Sequence, residues 1–101
     1  MKIDCEKLGR LLKQHVSFNL IDVRATSEFQ KGHIPGAKNF PFDVFLNKLQ
    51  GGVTQKEAAI VIYDNKEEHS GVLVTKAENL GYINIVSLEG GYQAFLKSQS
   101  A

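Results

Sequence analysis

Ala59-Ile60-Val61-Ile62-Tyr63-Asp64-Asn65-Lys66-Glu67-Glu68-His69-Ser70-Gly71, followed by Val72 to Leu80, sets the plan of the chain. The apolar run, β-branched at Ile60, Val61 and Ile62, reads as a strand buried on both faces that breaks abruptly into a polar loop. Ser70 reads as the N-cap of the next helix, in which Leu73, Ala77 and Leu80 fall at helical spacing before Gly81 stops the turn. In a parallel sheet, ligands bind beyond the carboxyl ends of the strands, where loop amides and a helix N-terminus offer N–H groups to an anion. Residues 64 to 70 are therefore expected to line the site. Yet the residue leaving the strand, where a nucleophile would be best placed, is Asp64, and the loop adds Glu67 and Glu68 against Lys66. An anion pocket has been given negative charge.

On the amino-terminal side, Asp4 followed by Leu8, Leu11, Leu12 and Val16 reads as an N-capped amphipathic helix, with Ile3 ending a short first strand. Cys5 lies in its first turn. A helix N-terminus can lower a thiol's pKa, although a lone cysteine is more often a partly buried, unreactive residue. Leu20-Ile21-Asp22-Val23 is a second apolar run, turning at Arg24 into a short helix that ends near Gly32. Asp22, Arg24 and Glu28 place two carboxylates near one guanidinium. That cluster suits an acid/base pair, but a bidentate Arg–carboxylate brace is its commoner use. His33, between Gly32 and Ile34-Pro35, offers a general base, or a ring hydrogen-bonded into a tight turn.

Ala37 to Phe40 reads as a short strand stopped by Pro41, and Phe42, Phe45, Leu46 and Leu49 then recur at i, i+3, i+4 and i+7 in a helix ending at Gly51-Gly52. After the central unit come a strand from Ile83 to Leu88 and a last helix carrying Tyr92, Phe95 and Leu96. The tail from residue 98 to 101 is expected to fray. Strands alternating with amphipathic helices across short glycine-containing turns give a parallel α/β sheet covered on both faces, in an order that the pattern alone does not reveal.

The 101 residues suffice for one small domain, spanning 1–101. A net charge of +1 makes no case for nucleic acid or an anionic membrane. No apolar run approaches the roughly 18 residues of a membrane span, and the Lys2-Ile3-Asp4 stretch lacks the apolar character expected of a signal peptide. A cytoplasmic location is expected, consistent with a single cysteine that cannot form an internal disulfide.

Taken together, Leu20-Ile21-Asp22-Val23-Arg24, Glu28-Phe29, Gly32-His33-Ile34-Pro35-Gly36-Ala37 and Asn39-Phe40-Pro41 resemble the first signature of the rhodanese-homology domain. Leu80-Gly81-Tyr82 through Val86, Leu88 and Gly90-Gly91-Tyr92 resemble the second. The resemblance covers Ile3 to about Leu96 and implies a five-stranded parallel sheet with helices on both sides. It also implies that residues 64 to 69 form the active-site loop, which in active members begins with a cysteine that carries sulfur as a persulfide. Here the cysteine's position is Asp64. His69 stands where many members have arginine, Glu67 where glycine is frequent, and Ser70 matches a small hydroxyl residue.

Persulfide chemistry needs a polarisable thiolate that both attacks sulfur and releases it, a route closed to a carboxylate. Thiosulfate is also an anion that Asp64, Glu67 and Glu68 would repel. The expected role is thus a non-catalytic recognition or regulatory module, with no cofactor and no metal. The partner expected for such a module is a protein that meets the loop formed by Asp64, Asn65, Lys66, Glu67, Glu68, His69 and Ser70. The enzymatic alternative is sulfur transfer through a thiol outside the loop. A third reading has Asp64, Glu67, Glu68 and His69 hold a divalent ion, though their spacing matches no known metal loop. Whatever the role, a carboxylate at position 64 is expected to serve as a built-in anion for the loop amides.

Overall fold

A computed structural model describes residues 1–52 and 55–99. Five strands and five helices alternate: β1 (Lys2–Ile3), α1 (Cys5–Lys13), β2 (Asn19–Asp22), α2 (Thr26–Lys31), β3 (Lys38–Asn39), α3 (Phe42–Gln50), β4 (Ile60–Tyr63), α4 (Glu68–Asn79), β5 (Ile85–Leu88) and α5 (Gly91–Gln99). All strand pairs are parallel, and the order is β1-β5-β4-β2-β3. β4 lies at the centre. It pairs with β2 in the register Leu20 to Val61 and Asp22 to Tyr63, and with β5 in the register Val61 to Val86.

Alternation along β4 sorts its side chains into two cores, as the two-residue repeat of a strand requires. Ile60 and Ile62 join Ile21, Val23, Phe45, Leu49, Leu73, Val74 and Ala77 beneath α3 and α4. Val61 and Tyr63 join Leu8, Leu20, Ile34, Leu88 and Phe95 beneath α1 and α5. Each fully buried aliphatic side chain contributes about 1.5–3 kcal/mol. The sheet is therefore packed on both faces, and the loop after β4 emerges from its central, fully buried strand.

Some boundaries differ from the sequence reading. α1 ends at Lys13, and Val16 lies beyond it, 44% exposed. Phe40 falls outside β3. β5 begins at Ile85 because Ile83 points outward, 77% exposed, and its N–H donates to the Lys56 carbonyl instead of a neighbouring strand. α5 continues through Gln99, so residues 98 and 99 of the expected tail are helical, and the Ser98 hydroxyl donates to the Phe95 carbonyl. Residues 100 and 101 of that tail lie outside the described residues. Among the described residues no helix is long and apolar enough to cross a membrane.

Candidate functional site

The chain leaves β4 at Asp64, which is only 6% exposed. Its Oδ1 accepts the Glu67 N–H at 2.7 Å and the Ser70 hydroxyl at 2.8 Å, and its Oδ2 accepts the His69 N–H at 2.8 Å. The first N–H groups of a helix have no partner within it and attract negative charge. Asp64 thus satisfies the start of α4 from four residues upstream. The expected N-cap, Ser70, is displaced from that role. It lies fully buried inside the first turn of α4 and donates to Asp64, because the helix begins three residues earlier than a cap at Ser70 would set it.

Glu67 occupies the cap position with φ 99°, a conformation that favours glycine. Its side chain leaves the site altogether. Oε1 accepts the Gly90 N–H at 3.1 Å, and Oε2 lies 3.2 Å from Lys2 Nζ and 3.5 Å from Ser87 Oγ. Two members of the predicted site-lining stretch, Glu67 and Ser70, therefore face the scaffold. The expectation that Glu67 would repel an approaching anion is corrected accordingly.

The start of α5 clamps the same loop. The Tyr92 N–H donates to the Asp64 carbonyl at 2.8 Å and the Gln93 N–H to the Asn65 carbonyl at 3.1 Å. Gly91 makes this approach possible. With φ 64°, a Cβ there would lie 2.5 Å from the Asp64 carbonyl oxygen.

Beside the loop, Arg24 is 7% exposed and Asp22 fully buried. Arg24 Nε lies 3.1 and 3.0 Å from the two Asp22 carboxylate oxygens, and Nη2 donates to Asp22 Oδ2 at 2.7 Å and to the Gly32 carbonyl at 2.7 Å. The guanidinium carbon sits 4.3 Å from the Tyr92 ring centre. Burial pulls the guanidinium's pKa down, but hydrogen bonding and the charge of Asp22 together raise it above its ordinary value. This is the brace reading of the cluster. Glu28 is not the brace partner: it accepts the Asn65 side-chain N–H at 2.7 Å, while Asn65 Oδ1 faces Arg24 Nη1 at 3.4 Å. Asn65 thereby ties the loop to the brace, a role that no periodicity or charge pattern signals. His33 is exposed, stacked on Phe29 at 3.7 Å, with Nδ1 2.8 Å from the Phe29 carbonyl, and it does not line the cleft.

An open cleft of about 740 Å³ lies over the loop, lined by the 23–25 turn, Glu28, the start of α3, Asp64 to Lys66, Glu68, His69 and Gln93. Asp43 and Val44 of α3 were not anticipated there, since their sequence pattern marks only an exposed helix face. His69 is exposed and meets Phe42 edge-on at 5.9 Å. The groups considered for a divalent ion do not converge, because the Asp64 oxygens hold N–H and O–H donors and Glu67 points elsewhere. Among the described residues no three His, Cys, Asp or Glu side chains form a metal-holding group. Cys5, at the start of α1, has its thiol pushed up by burial and then by the charges of Asp4 and Glu89, opposite to the lowering a helix N-terminus suggests.

The model of the rhodanese-like domain family matches residues 4–98. The chain is a rhodanese-like domain. It is 32% identical over 74 residues to the uncharacterized protein YqhL of Bacillus subtilis (strain 168), covering 73% of this chain and 57% of that one. It is 27% identical over 70 residues to thiosulfate sulfurtransferase PspE of Escherichia coli (strain K12), covering 69% and 67%. The fold superposes on a human single-domain sulfurtransferase, TSTD1, with a TM-score of 0.84 and 24% identity over 95% of each chain. Relative to the family, this rhodanese-like domain carries no cysteine on its loop, its one cysteine being Cys5.

Proposed function

We propose that this rhodanese-like domain forms no persulfide of its own and acts as a recognition or regulatory module through the face around residues 64–69. One observation carries the reading. The donors that would stabilise a reacting anion, the N–H groups of Glu67 and His69 and the Ser70 hydroxyl, are already held by the Asp64 carboxylate. A carboxylate in that place cannot take a sulfane sulfur and release it. The remaining thiol, Cys5, is biased toward its protonated, weakly nucleophilic form.

The test is sulfur transfer from thiosulfate to cyanide, with intact-mass analysis after incubation with the donor. No turnover and no added sulfur are expected. Turnover that vanishes in Cys5→Ser, together with a sulfur adduct on Cys5, would replace this reading with sulfur transfer through a thiol off the loop.

A further inference from the structure

We infer that the cleft above Asp64 receives a segment of another protein carrying an arginine or lysine beside an apolar side chain. The inference rests on the recognition reading and names the partner's chemistry. Four carboxylates line the cleft, Glu28, Asp43, Asp64 and Glu68, with Arg24 and Lys66 as permanent cations. Two of these six are spent internally: Arg24 is neutralised by Asp22 behind it, and Asp64 is saturated by loop donors. Three carboxylates then remain against one lysine, Glu28 with one oxygen on the Asn65 amide and Asp43 and Glu68 uncommitted. Among the described residues Asp43 and Glu68, both exposed, have neither an ion-pair nor a hydrogen-bond partner through their side chains.

The apolar half of the argument is independent of the charges. Val44, 46% exposed, and the half-buried Phe42 both line the cleft. An anionic ligand would meet the net negative charge while finding the Glu67 and His69 N–H groups occupied. A guanidinium can instead bridge carboxylates and lie against an aromatic ring, and an adjoining apolar residue can cover Val44. A free small cation would leave that apolar strip in water, which favours a chain segment as the occupant.

The experiment titrates the 15N-labelled domain with an end-blocked pentapeptide holding one arginine between two leucines. Amide shifts are expected at residues 42–44 and 64–69, and binding should weaken with added salt. Combining Asp43→Asn with Glu68→Gln should weaken binding about fivefold to tenfold, each exposed charge being worth little alone. Val44→Ser should weaken it without changing the salt dependence. The peptide with glutamate in place of arginine, and free arginine amide, should each bind at least about tenfold more weakly. The inference is overturned if the arginine peptide gives no shifts at millimolar concentration or shifts another face, if either control matches it, or if the double substitution leaves binding unchanged. Turnover of thiosulfate would defeat the non-catalytic reading whatever the peptide does. Absent shifts alongside absent turnover would defeat this partner alone.

Discussion

At the scale of single residues, Asp64 and Arg24 do opposite jobs with the same economy of charge. Asp64 supplies an anion to three donors, and its loss leaves the part-buried Glu67 and His69 N–H groups without their acceptor and the buried Ser70 hydroxyl with only the longer 3.3 Å contact to the Glu67 carbonyl. Asp64→Ala should therefore cost about 2–4 kcal/mol in urea melts, and Asp64→Asn less, since one oxygen remains while its amide turns a donor toward donors. A melt of Asp64→Ala matching the parent would remove the built-in-anion account. Arg24 is the counter-case, a cation whose removal strands a fully buried carboxylate, Asp22. Arg24→Ala should cost on the order of 3–5 kcal/mol, measured in the same way. Both residues were legible in the sequence, because a charged residue at the carboxyl end of an apolar strand must find a partner. Asn65 was not: an asparagine on a polar loop looks the same whether it is solvated or, as here, wedged between Glu28 and Arg24.

Elements begin and end where local geometry overrides pattern. Apolar spacing located α4 but set its start too late, since the first turn is held by Asp64 and by a left-handed Glu67, neither of which leaves a hydrophobic trace. Glu67 retains a strained backbone while its carboxylate holds the β5–α5 turn through the Gly90 N–H and reaches Lys2 on the edge strand. The two contributions separate by mutation. Glu67→Ala loses the contacts and keeps the strain, whereas Glu67→Gly loses both, so the glycine variant should be the more stable of the two by about 1 kcal/mol. Denaturant melts of the two variants read this difference directly, at a cap position held at φ 99°. Equal stabilities would mean that residue 67 is not left-handed in solution.

Across the whole molecule, alternating strands and amphipathic helices announced a parallel sheet, but pairing order is a matter of crossovers that no local pattern encodes. The same limit hid the cleft's far wall, because Asp43 and Val44 meet the loop only after α3 packs beside α4. Global stability should carry the mark of one central side chain. Burial, offset in part by the Ile34 N–H and reinforced by Asp22, raises the Tyr63 phenol far above its ordinary 10.0. The folded chain then keeps a proton that the unfolded chain releases. The stabilisation is whole below about pH 10 and declines as pH rises beyond it. Melts on the alkaline side should steepen accordingly, and Tyr63→Phe should flatten that limb; an unchanged slope would place the phenol in solvent. A final consequence concerns the anion fixed at residue 64. A loop that borrows its anion alternates between an empty form and a loaded one, and its outline reports which. With the anion covalently part of the chain, the three loop donors are held by Asp64 itself. The Glu67 and His69 amides should exchange with deuterium at the same rate whether or not thiosulfate is present.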